Sequence, residues 1–430
     1  MKGITISKEN LDIESELIPN NWQIKKLRDL ISYKKGKKPK FLSEIPLANS
    51  IPYLTAEYFR KGIIKLFVDC NYEKSPIYVK GNDIVFIWDG SNAGDVFTGL
   101  EGILASTMVR IRAHNDDVEN FWLYFFLMTK FELFNSQTTG STIPHINKNL
   151  FLNLQIPLPS LPEQRAIAHV LRTVQEAREK TEAVIEAAKT LKKSMMQYLF
   201  TYGPVPIDEA EQVPLKETEV GMVPEGWEVM RMKEICESII DCPHSTPEYT
   251  ESGYLVIRTS NVREGRLCLE SPSYTSKEGY FERITRGEPK EGDVLLSREA
   301  PIGEACIVPP NVKLCLGQRM MLLKPDETKI NGYFLVQAIY SKNIRRFLLT
   351  KGTGVTAKHL NVGEVKKQKI PIPFLETQRH IKRILISIDQ KIAAEESRKA
   401  ALDHLFQSLL HDLMTAKIRV NHISVPVAET

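Results

Sequence analysis

Ile156-Pro157-Leu158-Pro159-Ser160-Leu161-Pro162-Glu163-Gln164-Arg165 returns later in the chain as Ile370-Pro371-Ile372-Pro373-Phe374-Leu375-Glu376-Thr377-Gln378-Arg379. The offset is a constant 214, and it holds without a gap from 139–171 to 353–385. Thr139-Gly140-Ser141-Thr142 falls on Thr353-Gly354-Val355-Thr356, and His145-Ile146-Asn147 on His359-Leu360-Asn361. The front ends repeat as well, Ile18-Pro19-Asn20-Asn21-Trp22 lying on Val223-Pro224-Glu225-Gly226-Trp227. Between the ends the copies diverge, although Gly81-Asn82-Asp83-Ile84-Val85 still echoes Glu291-Gly292-Asp293-Val294-Leu295. A repeat of this length means two copies of one structural unit, each a variable module followed by a similar C-terminal segment.

Those segments read as long helices. Ser160-Leu161-Pro162-Glu163 supplies a cap, an early proline and an acid three residues after the cap. Apolar residues then recur at Ile167, Val170, Val174, Ala177, Val184, Ala188, Leu191, Met195 and Tyr198, with Thr181 the one interruption of a heptad seam. About 40 residues at roughly 1.5 Å each make a rod of about 60 Å. The second copy carries Ile381, Ile384, Ile388, Leu402, Leu405 and Leu409, while Lys391, Glu395 and Arg398 weaken its middle. Such a stripe usually packs on its own domain; two equivalent stripes in one chain favour packing on each other.

Between the first helix and the second module, 202–226 holds Pro204, Pro206, Pro214 and Pro224, and Lys216 is its one base. It reads as an acidic linker, extended by its prolines. The modules read as mixed α and β. Ile63–Val68, Ile84–Trp88, Tyr254–Arg258 and Met320–Leu323 are strand-like, and 120–134 and 331–349 are helical. The expected division is a recognition module at 1–159, a helix at 160–201, the linker at 202–226, a second module at 227–373, a helix at 374–416 and a tail at 417–430.

At 430 residues the chain has room for several cores, and 26% charged with 42% apolar residues is a globular balance. The net charge of +4 permits a polyanionic partner without demanding one. Met1–Asn20 has no apolar core of the length a signal sequence needs, and the longest apolar run, 121–128, is far short of the roughly 20 residues of a membrane span, so the expected compartment is the cytoplasm. Six cysteines are scattered without a C-x-x-C pair; Cys236, Cys242 and His244 lie close together but fit no common zinc spacing, and no metal is expected.

Catalytic motifs are missing. There is no Walker lysine loop, no G-x-G-x-x-G, no G-x-S-x-G, and no Asn/Asp-Pro-Pro-aromatic tetrapeptide of the kind that grips a flipped base. Residues suited to nucleic acid are present. Lys34, Lys35, Lys37, Lys38 and Lys40 crowd a glycine-containing loop fit for phosphate contacts, though alone such a run is as often a solvated surface. In the second module Arg258, Arg263, Arg266, Arg298 and Arg319 lie near strand ends, and the arginine fork suits guanine edges and phosphates alike. The turns containing Thr139, Ser141 and Thr142 before His145, and Thr356 before Lys358 and His359, could offer amides and hydroxyls to a phosphate, or merely cap the short helices that follow.

The repeated Ile156–Ile167 and Ile370–Ile381 segments, with the entry Lys216-x-Thr218-Glu219-x-Gly221-x-Val223-Pro224-x-Gly226-Trp227, resemble the specificity (S) subunit of type I restriction-modification systems over nearly the whole chain. The resemblance implies an α+β fold: two tandem mixed α/β target-recognition domains separated by two long helices that form an antiparallel coiled coil. Each domain would read one half of a bipartite double-stranded DNA site. It also implies that the chain is not catalytic and carries no cofactor. It would join two methyltransferase (M) subunits using S-adenosylmethionine and restriction (R) subunits using ATP and Mg. Thr377 departs from the pattern, which has the glutamate found at Glu163. The competing readings are a self-contained methyltransferase or nuclease, against which the absent motifs stand, and a helical adaptor without DNA contact, against which the basic loops stand.

Overall fold

The computed structural model describes residues 18–69, 76–114, 117–140, 142–351 and 359–423. They fall into two compact units, Met1–Glu182 with Ser397–Thr430, and Ala183–Glu396.

Each unit is built on the same four-stranded antiparallel sheet. In the first its order is Ile31–Lys35, Met108–Ala113, Ile84–Ile87, Val96–Phe97; in the second it is Cys236–Asp241, Met320–Pro325, Val294–Ser297, Ala305–Ile307. The central strands are buried on both faces, so they read as continuous apolar runs. A two-stranded clip closes each module, Gln23–Lys26 with Gln155–Leu158 and Glu228–Arg231 with Lys369–Ile372. The Ile-Pro-Leu-Pro and Ile-Pro-Ile-Pro repeats are the second strand of each clip, and a pair with two outer edges tolerates prolines.

The repeated residues hold repeated joints. Asp83 and Asp293 each accept an amide from three residues back, Lys80 and Lys290, both at 2.8 Å. Arg112 Nη2 at 2.7 Å and Lys324 Nζ at 2.9 Å pair with the same two carboxylates. Gln164 and Gln378 are fully buried. Gln164 Nε2 donates to the Pro159 carbonyl at 2.9 Å and its Oε1 accepts the Glu119 amide at 2.8 Å; Gln378 makes the same two bonds with Pro373 and Asn331 at the same distances. The copies part company in a second sheet. Among the described residues the first unit has five strands there and the second three, though both keep one parallel pair, Ser50–Leu54 with Gly102–Leu104 and Tyr254–Ile257 with Leu314–Leu316.

The long helices run Leu161–Tyr202 and Leu375–Met414. Within each unit they pair antiparallel. In the first, Arg178 Nε donates to Asp403 Oδ1 at 2.6 Å, and Glu182 meets Lys399. In the second, Lys192 Nζ meets Asp389 Oδ1 at 2.7 Å and Lys189 lies 3.8 Å from Glu396.

The seam differs from the expected one. Ile167 and Ile381 are buried as expected and Val174 and Met195 half-buried on the same row, but Val184, Leu191 and Leu405 are exposed. Leu171, Ile185, Leu199, Leu385, Ile392, Phe406 and Leu410 are buried instead. The inner row of the first helix steps to 171, 178, 185, 192 and 199 where the apolar count steps to 170, 177, 184, 191 and 198. Arg178 and Lys192 occupy that row because each has an aspartate opposite, and Arg178 also lies 5.0 Å above the Phe406 ring. Val170, Ile384, Ile388, Leu402 and Leu409 are half-buried flanking residues. Thr181 interrupts nothing, since its hydroxyl donates to the Ala177 carbonyl at 2.7 Å.

Other expectations are corrected locally. The expected helix 120–134 is two, Asn120–Met128 and Phe131–Ser136, and 331–349 is Gly332–Tyr340 and Lys342–Lys351. Thr129 and Ser341 stand at the breaks, each hydroxyl donating to the carbonyl three residues back, Phe126 and Ala338, at 2.7 Å. The strand expected at 63–68 forms only as Phe67–Asp69. The linker 202–226 is no extended spacer. It makes a short 3-10 helix, Ile207–Gln212, and a hairpin of Leu215–Thr218 with Gly221–Pro224, its prolines fixing turns. The expected tail folds back through residue 423. Val420 is buried, and Arg419 Nη2 meets Glu163 Oε2 at 2.9 Å, while Trp22 Nε1 donates to the same oxygen at 3.1 Å.

Candidate nucleic-acid interface

Three neighbouring strands of each central sheet, the first of them an edge strand, end together at one end of the sheet, and most of the residues expected to meet DNA collect there. In the first unit, Lys34 and Lys35 close the strand Ile31–Lys35. Its continuation, with Lys37, Lys38 and Lys40, is exposed. The chain can turn away only because Gly36 lacks a side chain: a Cβ there would stand 2.1 Å from the Ala105 carbonyl oxygen. Asp89, just past Ile84–Ile87, gathers the two expected motifs. Its carboxylate meets Lys35 Nζ at 2.8 Å and His145 Nδ1 at 2.7 Å. Thr139 and His145 exchange backbone hydrogen bonds of 2.8 and 2.7 Å, which sets the threonine turn beside the basic loop. Thr139 and Thr142 are exposed; Ser141 lies outside the described residues. The lysines and the threonine turn lie far apart in sequence, at 34–40 and 139–142, yet form one exposed basic patch.

The equivalent edge of the second unit has a different chemistry. Register places Asp241 where the first unit has Lys35, Arg298 where it has Trp88, Glu299 at Asp89 and Arg319 at Thr107. The backbone frame is the same. The amide of Trp88 donates to the Thr107 carbonyl and that of Arg298 to the Arg319 carbonyl, at 2.9 and 3.0 Å. Their own carbonyls accept from Ile146 and Leu360, at 3.0 and 2.7 Å. The side chains are acid–base pairs. Arg298 is nearly buried and its Nη1 lies 2.7 Å from both oxygens of Asp241, so it organises the edge rather than presenting a charge. His244 stands 3.3 Å from the same carboxylate. Arg319 is exposed and holds Glu299 at 2.8 Å.

The remaining arginines divide. Arg258 is exposed with its guanidinium 5.7 Å above the Tyr249 ring. Arg263 turns back, its Nη1 donating to the Thr259 and Val262 carbonyls, both at 2.6 Å. Arg266 braces the second long helix through Glu396 at 2.9 Å. His359 is half-buried, and Thr356 and Lys358 lie outside the described residues. The acids Asp89, Asp241 and Glu299 escaped sequence reading. The signal was there, because the echo from 81–85 to 291–295, carried four residues further, sets Asp89 on Glu299.

Among the described residues no group of three or more His, Cys, Asp or Glu is placed to hold a metal, and no helix is long and apolar enough to cross a membrane. Burial pushes the Cys236 and Cys306 thiols up to about 12 and the Cys315 thiol up to about 11, the behaviour of packing residues rather than nucleophiles.

Two copies of one sheet, with a basic edge in one and an edge of acid–base pairs in the other, define a two-module sequence reader. The family model for the type I restriction modification DNA specificity domain matches twice, over residues 19–188 and 224–404. The chain belongs to that family, as a DNA-specificity component and not a catalytic one, working on DNA with other subunits. It is 32% identical over 412 residues, 95% of each chain, to the type I restriction enzyme MjaVIII specificity subunit of Methanocaldococcus jannaschii. It is 21% identical to the type I restriction enzyme EcoBI specificity subunit of Escherichia coli, over 77% of this chain and 73% of that one. In fold it resembles the crystal structure of a type I restriction-modification S subunit from M. genitalium, with TM-score 0.62 and 17% identity, covering 92% and 97% of the two chains.

Proposed function

We propose that each unit reads one half of a bipartite, asymmetric double-stranded DNA site, and that the two edges described above are the reading surfaces. The observation that carries this is the difference between them: the same strands in the same register present Lys35, Asp89 and His145 in one unit and Asp241, Arg298, Glu299 and Arg319 in the other. Identical edges would suit a symmetric site; these do not. Lys34, Lys35, Lys37, Lys38 and Lys40, with Thr139, Ser141, Thr142 and His145, are assigned to phosphates, as are Thr356, Lys358 and His359. Exposed Arg258 is assigned to the same surface, and Arg263 and Arg298 support it. Phosphate contacts fix register, whereas base edges carry sequence.

The two long helices act as spacer and as docking surface for two methyltransferase subunits. Val184 and Leu191, seven residues apart and both exposed, are the apolar residues such a partner would cover. S-adenosylmethionine sits on those partners, and ATP with Mg on restriction subunits that join them. The test is to map methylated adenines across the genome of cells carrying this chain and its methyltransferase partner. Two unlike half-sites separated by a fixed gap are expected; one continuous palindrome overturns the reading.

A further inference from the structure

We infer that Arg319 is a specificity-determining residue of the second unit, reading a guanine in the half-site that this unit contacts. The inference rests on the reading that each unit reads one half-site, and it concerns which atom does so.

Arg319 has φ of 74°, the left-handed region that L side chains rarely enter and glycine enters freely. A glycine stands two residues earlier, at Gly317, where a Cβ would come 2.7 Å from the Ile257 carbonyl oxygen. The turn therefore uses glycine where space demands it and an arginine where conformation argues against one. The surroundings over-determine this backbone. The Arg319 amide donates to Cys242 Sγ at 3.2 Å, and its carbonyl accepts the Arg298 amide at 3.0 Å. Next to it, Gln318 Nε2 donates to the His244 carbonyl at 2.7 Å and its Oε1 accepts the Thr246 hydroxyl at 3.3 Å. A strained residue held so firmly, with a side chain more than half exposed, is a presented group.

The chemistry selects the acceptor. Glu299 Oε2 comes nearest to Arg319 at Nε, 2.8 Å away, and the guanidinium still carries the two amino groups Nη1 and Nη2. That pair of amino groups matches the O6 and N7 acceptors on the major-groove edge of guanine. A phosphate brought to the same fork would also meet the Glu299 carboxylate, and Asp241 lies on the same edge, so anion is set against anion. Guanine O6 and N7 are neutral acceptors and bring no such repulsion. The first unit has a threonine, Thr107, at this register position and a lysine-rich loop nearby, so the contact belongs to the second half-site alone.

The experiment uses the chain assembled with its methyltransferase partner and a DNA duplex library randomised in both half-sites, read by methylation. Wild type, Arg319→Gly and Arg319→Lys are compared. Arg319→Gly relieves the backbone, so its melting temperature is expected to equal or exceed that of wild type. Its preference for guanine at one position of one half-site is expected to fall by about tenfold to a hundredfold, with the other half-site and the gap unchanged. Arg319→Lys keeps the charge but loses the fork and is expected to relax the same position. Unchanged preferences in a wild-type-like bipartite pattern overturn the role of Arg319 while leaving the two-module reading standing. A uniform loss across all sequences, with a shallower salt dependence, makes Arg319 a phosphate contact and overturns it too. A wild-type complex that recognises no bipartite site overturns the underlying reading and this one with it.

Discussion

Replacing Glu163 with threonine, the residue the second repeat carries at Thr377, tests whether the returning chain end is part of the first unit's fold. Glu163 is 1% exposed. It receives Arg419 from residues past the second long helix and the indole N–H of Trp22 from the front of the module. Threonine is too short to reach either. Breaking a buried ion pair by removing one partner costs about 3–5 kcal/mol. Arg419 keeps part of its side chain in water and its guanidinium over the Trp22 ring, which places the loss near the lower end, about 3 kcal/mol. For a unit of about 200 residues that is roughly 6–12 °C of melting temperature. Hydrogen exchange read by mass spectrometry separates the units: protection should fall in 18–30, 150–175 and 405–423 and stay unchanged in 228–372. Adding Arg419→Met to Glu163→Thr should cost little more, since the two groups share one interaction. A loss below about 0.5 kcal/mol, the range of ordinary surface substitutions, or equal losses in both units, would refute the reasoning.

Four further outcomes follow from the same geometry. Neutralising Lys34, Lys37 and Lys38 to glutamine should weaken DNA binding for all sequences and flatten the dependence of log affinity on log salt by about 0.9 for each phosphate no longer neutralised; an unchanged slope means a solvated surface. Ile185→Ala should destabilise the second unit by about 2–5 kcal/mol in chemical denaturation, whereas Val184→Ala should stay within about 0.5. Glu304 is held below its ordinary value of 4.5: burial raises it, but the Tyr340 hydroxyl, the Glu264 amide and Arg345 outweigh burial. The folded state therefore holds this proton less tightly than the unfolded chain, and its contribution is present above pH 4.5 and lost as pH falls through the folded value. Melting curves of Glu304→Gln should show a flatter acid limb than wild type below pH 4.5. Inserting one heptad after Glu182 and one after Glu396 should widen the preferred gap between half-sites by about 10 Å, or roughly three base pairs at 3.4 Å each. Methylation of a spacer library that returns the original gap assigns the spacing to something other than the helices.

What could be read from sequence, and what could not, divides along the range of the physics involved. Both long helices, the doubled module and the strands Ile84–Ile87 and Tyr254–Ile257 were legible because their signals are local: a cap, a period, an apolar run, a repeated string. The seam was half legible. Its residues at 167, 174, 195 and 381 are common to the three-and-four count and to the structure. The choice between 184 and 185, or 191 and 192, depends on what stands opposite, and Asp389 makes a lysine at 192 a better inner residue than Leu191. That information lies 197 positions away and has no local trace. The interface shows the same division. Composition located the lysine loop and the threonine turn but could not join them, because the joint is Asp89, a single acid just past the apolar run 84–88. Nor could it tell Arg298 from Arg319. Both are arginines next to a strand end, and only their partners decide that the first is spent on Asp241 inside the edge while the second stands outside it on Glu299. An arginine's role is thus set by the acid it meets, and in a repeat protein the second copy is the place to look for that acid: where a residue keeps its type between copies, as Asp89 and Glu299 do, while its partners differ, the partners are the ones to test for sequence specificity.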